Sequence, residues 1–378
     1  MTNELPGTEN LSRREMNLRV FQRKPIPHLL FQPRFEPWFD LCRRHGALPA
    51  EIADLTVFEF ADQLGASLRY LDYFTGLPGP MVIDQDFATR RFNETPTTFT
   101  QVVETPFGQW VSKHQMNSDD MWYTVDYPVQ SPEDFDKLDW ILDHMTYRFD
   151  INRFDQSAAV FGDRGVPQFW VPKSPYQALC QQWMTLDVLI YALADDPKRV
   201  ERTMVRIDAA YDGLYEQICR SGKVPILNFG ENIHAQLLSP DYWERYFEPF
   251  YTKRCNQLKQ AGIYTHVHID GFFKPLLPYL SRLPFDGIEA LTPEPQGDVT
   301  LEEMREHVGD KILLDVVPAI LFLDTYSMGR FQDYVGKVAE MFGPQLILGI
   351  SDEYPEGAES SSLSKLRWMA EFAKGVVL

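Results

Sequence analysis

Cysteine is scarce in this chain: Cys42, Cys180, Cys219 and Cys255 are four among 378 residues. They are scattered and form no CxxC pair, so neither a disulfide framework nor a thiolate metal site is expected, and a reducing cytoplasm is the expected compartment. An apolar run of the ~18–20 residues that would span a bilayer is also missing. The opening stretch MTNELPGTENLSRREMNLRVFQ is polar and of mixed charge, without the apolar core of a signal peptide. Positive charge is under-represented, with 36 Lys and Arg against 54 Asp and Glu and a net charge of −18. Such a surface disfavours nucleic acid and anionic membrane as partners, or simply keeps the chain in solution. No GxGxxG follows a strand-like segment and no GxxxxGK[ST] occurs, so a nucleotide-binding doubly wound sheet loses ground.

What is present is an alternation. Residues 1–20 read as a tail or surface helix, followed by a short strand in PHLLFQPRF (27–35) and a helix over 48–65. FTQVVETPFGQWVSKHQ (99–115) alternates about a TPFG turn, which predicts an inserted β-hairpin. SPEDFDKLDWIL (131–142) opens a helix, with Ser131 as its cap and Pro132 in its first turn. From about residue 165 strand-like segments (PQFWVP, VPILNFG, IYTHVHI, DGIEAL, KILLDVV, QLILGI) alternate with helical ones. Strand-then-helix repetition implies right-handed βαβ units and a parallel sheet. At this length, a single (β/α)8 barrel over 21–378, with an N-terminal extension and a β-hairpin insertion, is the predicted fold.

A barrel collects its chemistry at the C-terminal strand ends. Read in order, those ends carry Glu231 in NFGEN, His266, His268 and Asp270 in THVHID, Glu289 in GIEAL, Asp315 in LLDVV and Asp352 in GISDE. Period-two alternation puts Tyr264, His266, His268 and Asp270 on one face of their strand. The other face, Ile263, Thr265, Val267 and Ile269, is suited to packing on helices, so the polar face points inward. Two imidazoles about 6–7 Å apart at Cα can converge on one ion, and Glu289 and Glu231 arrive at similar heights. His266, His268, Glu289 and Glu231 are therefore the candidate ligands of a zinc ion with an open position. The competing reading is a pair of structural histidines bonded to their neighbours. Asp270 and Asp352 are candidate proton relays. Trp170 and Phe229 can stack on a flat substrate or merely pack in the core. Arg34 can bind a carboxylate or pair with Glu36.

The segments SPDYWERYFEPFYTKRCNQLKQAGIYTHVHIDGFFKPLLPYL and DGIEALTPEPQGDVTLEEMREHVGDKILLDVVPA resemble the C-terminal half of the uroporphyrinogen decarboxylase superfamily. The resemblance extends over roughly 20–375 and is strongest at 225–320. It implies a (β/α)8 barrel and two chemistries: decarboxylation of uroporphyrinogen, or methyl transfer with a corrinoid held by another protein, usually with zinc. The decarboxylases open with an arginine-rich MRQAGRY-type motif, whereas FQPRFEPWF here has one arginine. The thiol-directed methyltransferases carry His-x-Cys where this chain has His266-x-His268, and a Cys on the last strand, where Ser351 and Asp352 stand here. The chain looks most like the substrate-side methyltransferases of O-demethylase systems.

The resemblance thus implies a cytoplasmic enzyme that takes a methyl group from a small methylated substrate, an aryl methyl ether first among them, to cob(I)alamin. No DxHxxG signature is present, so the cobalamin is expected on a separate corrinoid-binding protein. Alternatives are a decarboxylating lyase, a non-catalytic corrinoid-binding or assembly protein, and methyltransferases acting on a quaternary amine, a thioether or tetrahydrofolate. Monomer and homodimer are both open.

Overall fold

The structure is a computed structural model that describes residues 10–378 except 119, 236–237, 270 and 356–357. Its centre is a parallel sheet of seven strands. Their spatial order is Leu30–Phe31, Leu346–Leu348, Ile312–Leu314, Gly287–Glu289, Tyr264–Ile269, Ile226–Ile233 and Trp170–Val171. Six of these were anticipated as strand-like segments after residue 165, and the seventh lies within the predicted first strand. The segment 67–71 makes backbone hydrogen bonds to both edges of the sheet. Ser67 N donates to Phe31 O (2.8 Å), Leu71 N donates to Gln168 O (2.9 Å), and Gln168 N donates to Arg69 O (2.9 Å).

Alternation along the strands sorts their side chains into two cores. Leu30, Ile226, Ile312, Leu314 and Ile347 share one buried cluster with Met16, Val20, Phe21 and Ile26. Leu227, Phe229, Val267, Ile288, Leu313, Leu346 and Leu348 belong to the other, which the surrounding helices complete. The helix Arg13–Phe21, capped by Ser12 with Glu15, buries Met16, Asn17, Val20 and Phe21. It packs into the first cluster, so of the expected tail or surface helix the described part is a helix with one face buried in the fold.

The hairpin is present, with Thr98–Thr105 pairing antiparallel to Gly108–Met116 about a two-residue turn at 106–107. It forms the middle of a four-stranded sheet with Thr89–Phe92 and Trp122–Asp126. Elsewhere proline overrides periodicity. FFKPLLPYLSRL forms a 3-10 segment, Lys274–Arg282, because Pro278, inside it, lacks the N–H an α-helix would bond to the Lys274 carbonyl. The helix predicted to begin at Ser131 starts at Asp134, whose carboxylate accepts from Ser131 N and Oγ at 3.0 and 3.1 Å. No described helix is long and apolar enough to cross a membrane.

Candidate functional site

Parallel pairing sets His266 opposite Gly287 and Asn228, and His268 opposite Glu289. The polar side chains on the inner face therefore converge on Glu289, which is fully buried. One oxygen, Oε1, lies 2.9 Å from Arg69 Nη1, 3.6 Å from Arg34 Nη1 and 3.6 Å from His268 Nδ1. The other, Oε2, accepts from Tyr70 OH at 2.5 Å and from Asn228 Nδ2, with His266 Nδ1 at 3.2 Å. Burial opposes ionisation of this carboxyl, but Arg69 and the two histidines outweigh it and hold it well below the usual carboxylate range.

Arg69 is the second hub. Its guanidinium grips Asp315 with two bonds, Nη1 to Oδ2 at 2.6 Å and Nη2 to Oδ1 at 3.1 Å, and donates from Nε to Gln32 Oε1 at 2.7 Å. Asp315 sits at φ 58, in the left-handed region just past its strand. Gly349 lets it lie there, since a β-carbon at that glycine would stand 1.9 Å from Asp315 Oδ1. Burial and neighbouring Glu289 push the Asp315 carboxyl up, while Arg69 pulls it down. Arg34 also adopts positive φ, at 46. Its Nη2 donates to Tyr73 OH at 3.3 Å, and Tyr73 in turn donates to Glu353 Oε1 at 2.5 Å. Two cations and two carboxylates thus sit together in the sheet's interior.

The two histidines differ. His266 is fully buried, and burial pushes its imidazole pKa down, so the ring is neutral at pH 7. Its Nε2 faces Gln168 Oε1 at 2.7 Å and its Nδ1 lies 3.0 Å from Asn228 Nδ2. His268 is 16 % exposed, with one ring nitrogen against Glu289.

These residues do not fit the expected zinc ion. Glu289 already balances a guanidinium, both His266 nitrogens are engaged, and a dication would sit beside Arg69 and Arg34. No group of three or more His, Cys, Asp or Glu among the described residues is arranged to hold a metal. Glu231 is a separate correction. It shares its strand face with Phe229 and points away from the histidines, where Ser174 N and Oγ donate to it at 2.5 and 3.1 Å. Burial raises its pKa to about 7.

Phe229 is likewise on the outer face, fully buried against Phe285 (5.1 Å between ring centroids) and Tyr251 (5.9 Å), so it is core and no substrate wall. Trp170 is half-buried. One face of its indole stacks on Tyr70 at 4.0 Å, with its edge against Tyr73. Asp352 accepts from Glu353 N at 2.8 Å and from Gln296 Nε2 at 3.5 Å. Asp270 lies outside the described residues. Arg34 meets Glu289 and Tyr73, while Glu36, its expected partner, has one oxygen without a hydrogen bond and a pKa raised to about 7 by burial.

Arg69, Tyr70, Asn228, Gln168 and Gln32 were not anticipated. Asn228 lies two residues before Gly230 on the predicted VPILNFG strand, and period two could have placed it inward. Arg69 and Tyr70 lie in a segment assigned to no element, and its pairing to both sheet edges brings it inside.

No protein-family model and no curated protein sequence matches the chain. Among solved structures, it is similar to a methyltransferase from Methanosarcina mazei, with a TM-score of 0.58 and 11 % identity over 95 % of this chain and 99 % of that one. A protein titled a vitamin-B12-independent methionine synthase, from Listeria monocytogenes, gives a TM-score of 0.39 at 13 % identity, over 92 % of this chain and 96 % of that one, and carries no weight. At such identities the first likeness establishes a shared mixed α/β fold about a large parallel sheet, and nothing about activity.

Proposed function

We propose that this chain is the substrate-side component of a methyl-transfer system. It takes a methyl group from a small methylated compound, an aryl methyl ether first among them, and passes it to a corrinoid on a separate protein. In the same reading, segment 67–71 is the eighth stave of a closed barrel. The observation that carries the proposal is His268: a part-exposed imidazole on a buried carboxylate, at the C-terminal ends of parallel strands.

When its carrier docks, the corrinoid would supply a Co(I) nucleophile. The residues of this chain have the other task. As the carbon–oxygen bond breaks, its electron pair goes to the oxygen, and that charge needs a partner. His268 gives the oxygen a proton from its outer ring nitrogen, while Glu289, 3.6 Å from the inner one, orients the ring. Arg69, Tyr70 and Asn228 fix Glu289 in place. Solvent then reprotonates His268. Support comes from the motif resemblance at 225–320 and from sharing a fold with a protein titled a methyltransferase.

Decarboxylation has one observation in its favour: Arg34 and Arg69 come together, as a site for substrate carboxylates would require. Yet Arg69 is fully buried and already occupied by Asp315 and Glu289, which leaves little cation for a polyanionic substrate.

The test is incubation of the protein with cob(I)alamin and 2-methoxyphenol, following loss of Co(I) absorbance and release of catechol. His268→Gln should slow turnover by about 100-fold or more, as removal of a general acid does, and uroporphyrinogen should yield no CO2. Wild-type turnover in His268→Gln, or no Co(I) consumption with 2-methoxyphenol, tetramethylammonium or dimethyl sulfide, overturns the proposal.

A further inference from the structure

The inserted four-stranded sheet has two outer strands, and they differ. Thr89–Phe92 forms one edge. Its successive Arg90 and Arg91 put a charge on each face, a device that keeps an edge from pairing with another strand. Trp122–Asp126 forms the other edge. Here Trp122, Tyr123 and Val125 are 45, 45 and 42 % exposed, and the strand's one charge, Asp126, stands at its end. No lysine or proline interrupts it. Among the described residues its backbone pairs only with Gly108–Met116. The outer row of N–H and C=O groups is therefore left to solvent. Aromatic and β-branched side chains flank that row, and these are the side chains that pair well across strands.

Charge and sequence point to a second copy of this chain as the occupant. With a net charge of −18, two copies repel one another in general. This edge carries no such excess. Lys113 of the adjoining strand neutralises Asp126, and Arg44 neutralises Asp120, just before the strand. A basic or acidic partner finds no unbalanced charge to read, whereas two copies meet here without repulsion. The segment WYTVD is also complementary to itself. A two-fold axis through Thr124 sets Tyr123 opposite the second copy's Val125, Trp122 opposite its Asp126, and Thr124 opposite Thr124. An aromatic side chain meets a β-branched one twice, and no charge meets its like.

We propose that Trp122–Asp126 pairs antiparallel with the same strand of a second copy, joining two inserted sheets into one of eight strands. The inference is independent of the methyl-transfer reading. The contact is one strand edge with the side chains beside it, smaller than the interface of an obligate dimer. A dissociation constant on the order of micromolar is therefore expected.

Sedimentation velocity of the full chain, from about 1 to about 200 µM to bracket that value, reads the balance of monomer and dimer. Two double variants test the register: Tyr123→Lys/Val125→Lys and Tyr123→Glu/Val125→Glu. Both positions are exposed, so the fold is spared, and circular dichroism checks this. Either variant alone sets like charges directly opposite across the two-fold axis, and should dimerise at least about tenfold more weakly than wild type. An equimolar mixture sets each lysine opposite a glutamate. It should associate at least about tenfold more tightly than either variant alone.

A wild type that stays monomeric throughout overturns the proposal and leaves the edge to a strand of another protein. Folded variants that dimerise as the wild type does place the dimer contact elsewhere and overturn it too. So does a mixture that associates no better than its components, since the two-fold register then fails.

Discussion

Glu289→Gln is the perturbation that most directly probes the buried network. The substitution keeps shape and removes one negative charge from a set of two guanidiniums and two carboxylates. Removing one partner of a buried ion pair costs roughly 3–5 kcal/mol. Arg69 retains Asp315, which argues for the lower end of that range. The new amide works in the other direction. Arg69 stands at one oxygen position and Tyr70 and Asn228 at the other, so in either orientation the NH2 group of glutamine meets a donor. A loss of about 4 kcal/mol follows. With an unfolding entropy of about 2.1 cal/mol/K per residue, the 378-residue chain should melt about 5 °C lower. Thermal and urea unfolding at pH 7, followed by circular dichroism, give both numbers. The double variant Glu289→Gln/Arg69→Met should fall short of the summed single losses by about 1 kcal/mol or more, since the pair is coupled. A single-variant loss below about 1 kcal/mol, or strict additivity, refutes the charge balance. So does a zinc-dependent rise in wild-type melting temperature that Glu289→Gln abolishes, because that would make the carboxylate a metal ligand.

Two further outcomes follow from particular atoms. Glu231 is raised from its ordinary 4.5 to about 7, so between those values the folded protein keeps a proton that the unfolded chain has lost. Its contribution is therefore fully present below pH 4.5 and is lost as pH rises towards 7, by up to about 3 kcal/mol. Glu231→Gln should melt several degrees above wild type at pH 8 and match it near pH 4.5, with a residual slope from Glu36, which is raised likewise. An unchanged pH slope in the variant would show that Glu231 ionises normally. Gly349→Ala places a carbon 1.9 Å from Asp315 Oδ1 and 2.5 Å from the Gln32 carbonyl. Both are pinned, so a loss of about 3 kcal/mol is expected, and an unaltered melting temperature would mean that the Asp315 backbone is not held as described.

Local pattern carried far in this molecule wherever one strand or one helix sufficed to decide an outcome. Period two alone put His266 and His268 on the inner face, and the TPFG turn alone declared the hairpin. Strand–helix alternation was enough to predict a parallel sheet. The same rule, applied one strand earlier, would have turned Glu231 and Phe229 outward, because Asn228 is the residue of that strand level with His266. The apparent equivalence of Glu231 and Glu289 at their strand ends hid this difference of face.

What the sequence by itself determined, then, is the order of strands and helices and the direction of the histidine pair, since both depend on residues within a few positions of one another. What only the tertiary structure decided is the company those histidines keep. Arg69 and Tyr70 stand 246 and 219 residues from their carboxylate partners Asp315 and Glu289. Charge neutrality in a buried interior is a property of the assembled set, and it is this set that makes Glu289 a counter-ion for guanidinium and leaves His268 as the part-exposed imidazole beside it.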